Sequence, residues 1–235
     1  MATIDSSDFS AETGWTVVRT AGSVTFNQVS GDRTYVRCVG ASSWNTTGFV
    51  RTTPIAGASG HVIYWDYRQP SDRINVFFGG LQDSLTIAYS PMDFANVSGT
   101  PSFPRFYLWD GSTQGNFYFP VLGATWFNFK WEILSDGRCS LYVHQDDGTP
   151  QDQITSWTLI DTSTVVNSGD YTSKNIYFVG AHYYDTPPAL PGYVDISRYY
   201  YTNNGYIIDP VEETKGINPG IKWKEIGKRG LKFGR

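Results

Sequence analysis

Apolar residues alternate with polar ones along much of this chain, and the pattern of an amphipathic helix is nearly absent. The alternation is cleanest over residues 126–133, as expected of a strand with one buried face. The side chains that this pattern places toward a core are Phe127, Phe129, Trp131 and Ile133. The side chains on the opposite face are Trp126, Asn128, Lys130 and Glu132.

Short runs rich in β-branched and aromatic residues recur along the whole chain. They predict strands at residues 15–18, 23–27, 35–39, 48–52, 61–67, 74–79, 85–89, 105–109, 115–119, 125–134, 139–144, 154–160, 175–182 and 192–202. Turn-forming sequences such as Ser30-Gly31-Asp32 and Ser135-Asp136-Gly137 lie between them. So many short strands are typical of two packed antiparallel sheets, and we therefore expect an all-β sandwich.

The composition agrees with this fold class. Aromatic residues make up 16% of the 235 residues and charged residues only 17%, with 24 glycines and 12 prolines for turns. Cys38 and Cys139 share strand parity with apolar neighbours, so we expect two buried free thiols rather than a disulfide.

Three motifs carry a family resemblance. The first is a predicted hairpin made of residues 125–133, the turn Asp136-Gly137 and residues 140–143 (SLYV). The second is the segment 192–200 (GYVDISRYY), and the third is the early pair Gly14-Trp15. Together they resemble the concanavalin A-like lectin/glucanase (laminin-G-like) jelly rolls. The resemblance implies a two-sheet antiparallel β-sandwich with an extended C-terminal arm. The motifs are structural, so they say little about function.

Catalytic carboxylates of the kind used by related glucanases are missing from the sequence. Those enzymes carry E-x-D-x-E or E-x-D-x-x-E on one strand, which places a nucleophile and a general acid on one sheet face. Here Glu132 is followed only by Asp136, at the wrong spacing and in a predicted turn. We expect a protein that is not an enzyme, with a divergent polysaccharide hydrolase as an alternative.

The sequence also offers no strong cofactor site. His61, His144 and His182 are far apart and form no metal-spaced pair, and no phosphate-binding glycine motif occurs. We therefore expect no cofactor and no resident metal. The family resemblance leaves Ca²⁺ as an alternative, although an Asp-Gly turn needs no metal to explain it. The acids in predicted loops are Asp110, Asp146 and Asp147.

Carbohydrate binding would require exposed aromatic rings beside polar loops. The aromatic residues with that sequence context are Trp44, Trp109, Tyr183 and Tyr184. Packing at a sheet rim, or contact with a neighbouring protein, would explain each of them equally well.

The last part of the chain differs in charge from the rest. Residues 215–235 hold seven of the 18 basic residues and one of the 22 acidic residues, so a basic tail follows an acidic body. Apolar and basic side chains alternate in the tail, as in a strand that docks into a groove or onto a sheet edge. The expected docking residues are Ile221, Lys222, Trp223, Lys224, Ile226, Lys228, Arg229, Leu231, Lys232, Phe233 and Arg235.

The chain therefore divides into three parts. We expect a jelly-roll domain over residues 1–205, a Pro- and Gly-containing linker over residues 206–219 and a docking arm over residues 220–235. We do not expect nucleic acid as a partner, because the acidic body opposes it. We do not expect a membrane partner either, because the segment is short and broken by glycines.

Together these features suggest a structural accessory protein of a virion, either a phage capsid decoration (cement) protein or a fibre-type component. The arm is expected to dock to capsid or tail subunits, the body to contact glycans, and copies to form a homo-oligomer. The N-terminal segment has neither the basic nor the apolar region of a signal peptide, so we expect assembly in the host cytoplasm. A free-standing lectin or carbohydrate-binding module is the main alternative.

Overall fold

The computed structural model describes residues 3–19, 22–39, 46–68, 75–82, 93–100, 103–107, 117–118, 125–162, 172–182 and 193–203. The strands in this part of the chain are β1 Thr3–Ser7, β2 Trp15–Arg19, β3 Ser23–Ser30, β4 Arg33–Val39, β5 Thr46–Arg51, β6 Ile55–Ala56, β7 His61–Arg68, β8 Asn75–Gln82, β9 Asp93–Thr100, β10 Phe103–Tyr107, β11 Phe117–Tyr118, β12 Phe127–Ile133, β13 Cys139–Gln145, β14 Thr158–Thr162, β15 Thr172–His182 and β16 Tyr193–Asn203. A 3-10 turn at Gln151–Gln153 precedes β14. Across these ranges, no helix has the length and apolar character needed to cross a membrane.

The strands form two eight-stranded antiparallel sheets. The first sheet has the order β14–β13–β12–β7–β16–β4–β3, and β1 pairs with the second half of β16. The second sheet has the order β11–β10–β9–β8–β15–β5–β2, and β6 pairs with β15. The two-sheet antiparallel sandwich predicted from the sequence is therefore confirmed.

The core lies between the two sheets, and strand alternation explains which residues fill it. In β7, Ile63, Trp65 and Tyr67 have no exposed surface and belong to the core, whereas the alternate positions face outward from the first sheet. Trp65 stacks on Phe129 of β12, with their ring centroids 5.2 Å apart and an interplanar angle of 5°. Each buried aromatic ring removes roughly 150–250 Å² from water, which compensates for the modest aliphatic content.

The second sheet contributes aromatic rings to the same core. Trp15 of β2 contacts Phe49 of β5 edge to face at 5.0 Å, and Phe178 of β15 lies 5.5 Å from Phe49. Tyr199 of β16 reaches across from the first sheet to Trp15, at 5.5 Å. Burial raises the pKa of Tyr199 well above its ordinary value, so this hydroxyl stays protonated.

Most predicted strands match described ones, and the predicted burial of both cysteines as free thiols is confirmed. Strands β1, β6 and β9 are absent from the sequence prediction. β9 contains Asp93, Asn96 and Gly99, which have low strand propensity, and its pairing with β8 and β10 outweighs that propensity. The strand predicted at residues 85–89 lies outside the described residues.

One strand prediction is wrong in its extent. Residues 154–160 were expected to form a single strand, but β14 begins only at Thr158. Trp157, just before β14, packs against Tyr64 on the outward face of the first sheet, and Ile154 is buried as well. The apolar side chains of this segment therefore have a partner surface other than the core between the sheets.

Candidate functional site

The outward face of the first sheet holds most of the buried polar and charged side chains in the described part of the chain. Because side chains alternate along a strand, the positions between the core residues of β4, β7, β12 and β16 all point to this face. Two carboxylates on it, Asp66 of β7 and Asp195 of β16, have no exposed surface. Since a buried charge is costly unless it is paired, the partners of these two carboxylates define the architecture of the face.

Asp66 is surrounded by donors from separate parts of the chain. Its carboxylate accepts hydrogen bonds from Asn128 Nδ2 at 2.6 Å, from Arg198 Nε at 2.5 Å and from the side-chain amide of Gln151. Arg33 Nε lies 3.8 Å away. We call these residues, together with Asp146, the Asp66 cluster.

The Asp66 cluster holds the chain after β13 against the sheet. Gln151, in the 3-10 turn, reaches Asp66, and Asp146 accepts a hydrogen bond of 2.7 Å from Arg33 Nη2. Arg198 Nη2 also lies 4.0 Å from the Asp146 carboxylate. The chain after β13 therefore covers the middle of the outward face. Beneath it, Asp66 is paired with two arginine side chains and two side-chain amides.

Asp195 is held by two arginines. Arg37 donates to both of its oxygens, from Nε at 2.7 Å and from Nη2 at 2.9 Å. Arg68 donates to Oδ2 from Nη2 at 2.7 Å and from Nε at 3.1 Å. The hydrogen bond to Asp195 raises the pKa of Arg37, so this guanidinium stays protonated.

Aromatic rings fill the spaces between these arginines. The arginine–aromatic ladder consists, in spatial order, of Arg33, Trp126, Arg68, Tyr35, Arg37 and Tyr193. The tightest contacts are Arg37 over the Tyr193 ring at 3.8 Å and Arg68 over the Trp126 ring at 4.4 Å. Cation–π contacts of this kind stabilise each guanidinium while it remains bonded to its carboxylate.

A second group of aromatic residues on the same face is more accessible. Lys130 Nζ of β12 lies 4.0 Å from the ring centroid of Tyr142 in β13 and 5.8 Å from that of Trp157. Trp157 in turn lies 6.0 Å from the buried ring of Tyr64, and Glu132 lies 3.5 Å from Lys130. We call these five residues the aromatic patch. Tyr142 and Trp157 are only half-buried, so their rings present apolar surface beside charged side chains.

The two histidines whose side chains are described, His61 and His144, have neighbouring side chains as partners. His144 lies at the margin of the aromatic patch, with Nδ1 3.4 Å from the hydroxyl of Ser156 and Nε2 3.4 Å from Asp147. His61 Nδ1 lies 2.5 Å from the hydroxyl of Tyr201, and burial lowers the pKa of His61. The side chain of His182 lies outside the described residues.

The candidate calcium ligands have other roles where the structure describes them. Asp146 is bound to Arg33, and Asp147 lies in an exposed turn that it stabilises through Thr149. Hydrogen bonds from the side chain and the backbone of Thr149 lower the pKa of Asp147 to about 2. Asp110 lies outside the described residues. Within those residues, no group of three or more His, Cys, Asp or Glu side chains is placed to hold a metal ion.

The site residues predicted from sequence lie outside the described part of the chain. These are the aromatic residues Trp44, Trp109, Tyr183 and Tyr184 and the docking residues between Ile221 and Arg235. The two groups on the outward face were not predicted as sites. The sequence does contain a signal for the Asp66 cluster. Asp66 stands between Trp65 and Tyr67 in an otherwise apolar run, which indicates a buried charge that needs partners.

No family model and no curated protein sequence matches this chain. Solved structures do match. The mixed linkage glucan GH16 of Bacteroides ovatus, solved in complex with a product, has a TM-score of 0.57 at 9% identity, covering 85% of this chain and 100% of that chain. The globular domain of Trypanosoma cruzi calreticulin has a TM-score of 0.53 at 12% identity, covering 86% and 88%. A protein of unknown function from Shewanella oneidensis MR-1 has a TM-score of 0.52 at 11% identity, covering 83% and 82%.

Identities this low carry information about the fold alone. The matched structures extend over most of this chain and over most of their own length, so the likeness concerns a whole domain. The described strands have the two antiparallel sheets that the hairpin and last-strand motifs implied. The chain therefore has the fold of the concanavalin A-like jelly rolls.

Proposed function

We propose that this chain is a non-enzymatic structural accessory protein of a virion, a capsid decoration or fibre-type component, that contacts glycans. Its jelly roll would bind the glycan, and its C-terminal arm would dock it to capsid or tail subunits. The aromatic patch on the outward face of the first sheet is the observation that carries the glycan-binding part.

The aromatic patch has the chemistry that sugars require. The half-buried rings of Trp157 and Tyr142 offer apolar surface to the C–H face of a sugar ring. Lys130, next to both rings, can donate hydrogen bonds to sugar hydroxyls. The Bacteroides ovatus GH16, which has the same fold, was solved in complex with a product, and this is consistent with a glycan-binding role for such a sandwich.

The state of the carboxylates on this face supports a non-catalytic role. Hydrolysis of a glycosidic bond needs a carboxylic acid that can give up its proton and a second free carboxylate. Asp66 and Asp195 are buried and bonded to arginines, so neither carboxylate faces the surface where a substrate could bind. Glu132 faces Lys130 at 3.5 Å. Each of these three carboxylates is already paired with a cationic side chain.

The charge difference between body and tail supports the docking part of the proposal. Seven basic residues and one acidic residue lie in residues 215–235, whereas the rest of the chain is strongly acidic. A basic strand with apolar residues such as Ile221 and Trp223 can pair with a sheet edge and bind acidic neighbours at the same time. A free-standing lectin remains the second candidate, and it would share the aromatic patch but not depend on the arm.

The glycan-binding part is tested by a glycan array with the full chain and two variants. Trp157→Ala removes this half-buried ring and should weaken binding about five- to tenfold, because one aromatic contact contributes roughly 1–1.5 kcal/mol. Val29→Ala is the matched control, since Val29 is 65% exposed and lies on β3, away from the patch. Absence of any bound glycan, or equal binding by both variants, would contradict the proposal.

The docking part is tested by cosedimentation of the full chain with virion particles. Charge reversal at Lys222 and Lys224 (both to Glu) should abolish cosedimentation, whereas Arg138→Glu, at an exposed position of the body, should not. Unchanged sedimentation of the arm variant would favour the free-standing lectin. Release of reducing sugar from a β-glucan, lost in Glu132→Gln, would instead favour a hydrolase.

A further inference from the structure

Lys130 stands between the aromatic rings of two neighbouring strands. The register pairs Lys130 of β12 with Tyr64 of β7 on one side and with Tyr142 of β13 on the other. The three side chains therefore form one row on the outward face of the first sheet. The ammonium lies 4.0 Å from the centroid of the Tyr142 ring and covers one face of it, and only 18% of the lysine side chain is exposed. The sheet thus fixes the position of this positive charge.

Glu132 places a negative charge beside that lysine. It follows two residues later on the same face of β12, and one of its carboxylate oxygens lies 3.5 Å from Lys130 Nζ. Burial, together with the charge of Glu132, raises the pKa of the Tyr64 hydroxyl, so this hydroxyl is not ionised at neutral pH. The side chain of Glu132 is 30% exposed, so its carboxylate can also reach a bound molecule.

His144, the basic side chain at the margin of the aromatic patch, also has an acidic neighbour. Its Nε2 lies 3.4 Å from Asp147. Hydrogen bonds from Thr149 lower the pKa of Asp147 to about 2, so this carboxylate is ionised at neutral pH. Trp157 lies between the two groups, with its ring centroid 6.0 Å from that of Tyr64 and 6.2 Å from that of His144. Among the described residues of the patch and its margin, each basic side chain is therefore matched by a carboxylate.

This charge arrangement treats charged and uncharged sugars differently. A sulfate or carboxylate group that approaches Lys130 also approaches Glu132, because the two side chains are 3.5 Å apart. The acidic body repels such a group at longer range as well. A sugar hydroxyl, in contrast, both donates and accepts hydrogen bonds. It can accept one from the lysine and donate one to the carboxylate.

We propose that the aromatic patch binds uncharged sugar units against Trp157, and that Glu132 excludes sulfated, sialylated and uronic acid-containing ones. This inference rests on the proposed glycan-binding function and goes further by naming the class of sugar and the residue that selects it. Trp157 contributes apolar contact, which every sugar can make. Glu132 contributes selectivity, because it repels the wrong ligand while it accepts a hydrogen bond from the right one.

A glycan array that carries neutral oligosaccharides beside their sulfated and sialylated derivatives tests this selectivity. The unmodified protein should bind a neutral member about tenfold better than its charged derivative. Glu132→Gln keeps the shape and an acceptor oxygen but removes the charge. It should reduce this preference about fivefold, because the charged derivatives bind better. Lys130→Met removes the cation instead and should widen the preference.

The matched control is Glu12→Gln, the same substitution at an exposed position before β2 of the second sheet. It should leave the preference unchanged. Raising the salt concentration from about 0.15 M to about 1 M should reduce the preference of the unmodified protein, because the Debye length falls from about 8 Å to about 3 Å.

Two results would overturn the inference and leave glycan binding itself intact. One is stronger binding of the charged derivatives by the unmodified protein. The other is an unchanged preference in both Glu132→Gln and Lys130→Met. Absence of binding to every member of the array, neutral or charged, would instead refute the proposed glycan-binding function and this inference with it.

Discussion

Asp195 provides the most direct measure of how the outward face is stabilised. Asp195→Asn keeps the shape of the side chain and removes the negative charge that faces Arg37 and Arg68. Four N–H···O contacts of 2.7–3.1 Å converge on this fully buried carboxylate. Removing one partner of a buried ion pair typically costs 3–5 kcal/mol, because the remaining charge is left without compensation.

The partial exposure of the two arginines lowers the expected loss of stability. The side chain of Arg37 is 29% exposed and can turn partly into water, whereas that of Arg68 is 12% exposed and remains between aromatic rings. We therefore expect Asp195→Asn to lower the free energy of unfolding by about 2–3 kcal/mol. Urea unfolding followed by tryptophan fluorescence gives this value, provided that the dependence on denaturant is unchanged.

Asp136→Asn is the matched control, since it alters the same type of pair at the surface. Arg138 Nε lies 2.7 Å from Asp136, but the two side chains are 40% and 47% exposed. Water and salt screen such an exposed pair, so the control should unfold almost like the unmodified protein. If the two variants lose the same stability to within about 0.5 kcal/mol, burial does not set the contribution of Asp195, and the reasoning is refuted.

Two further predictions concern turns. Gly22→Ala should lower the free energy of unfolding by about 3 kcal/mol, because Gly22 has φ +94° and an added Cβ would lie 2.0 Å from the carbonyl oxygen of Val39. Gly31→Ala, at φ +64° with open space around it, should lower it by only about 1 kcal/mol. Urea unfolding measures both values. Thr149→Val should raise the pKa of Asp147 from about 2 toward its ordinary value in a carbon-detected NMR titration. Because this pKa is lowered by folding, the stabilisation is present above the unfolded pKa and is lost as the pH falls through about 2.

Strand alternation made the core predictable. Phe129 and Trp131 were placed inward by a period of two, and both are buried as expected. The same pattern predicted only one buried face, but Trp126 and Asn128 on the opposite face are also buried, at 8% and 0% exposure. The pattern within a strand reports which side a residue takes, but not whether another segment covers that side.

The groups on the outward face could not be predicted from local sequence. Asp66 meets Arg198 across 132 residues and Gln151 across 85 residues, so no spacing motif exists to detect. The buried carboxylates were visible only as acids within apolar runs, such as Asp195 between Val194 and Ile196. Which arginine would reach each acid depends on the order of strands in the sheet, and a single sequence does not specify that order.

The position of β16 has a consequence for how this chain acquires its structure. The last described strand lies in the interior of the first sheet, between β7 on one side and β4 and β1 on the other. Contacts such as Arg37–Asp195 span 158 residues, and Trp15 near the start of the chain packs on Tyr199. Such non-local pairing is slow to form. The core between the sheets therefore cannot close until β16 has been synthesised, and until then the apolar faces of β4 and β7 remain exposed and prone to aggregation.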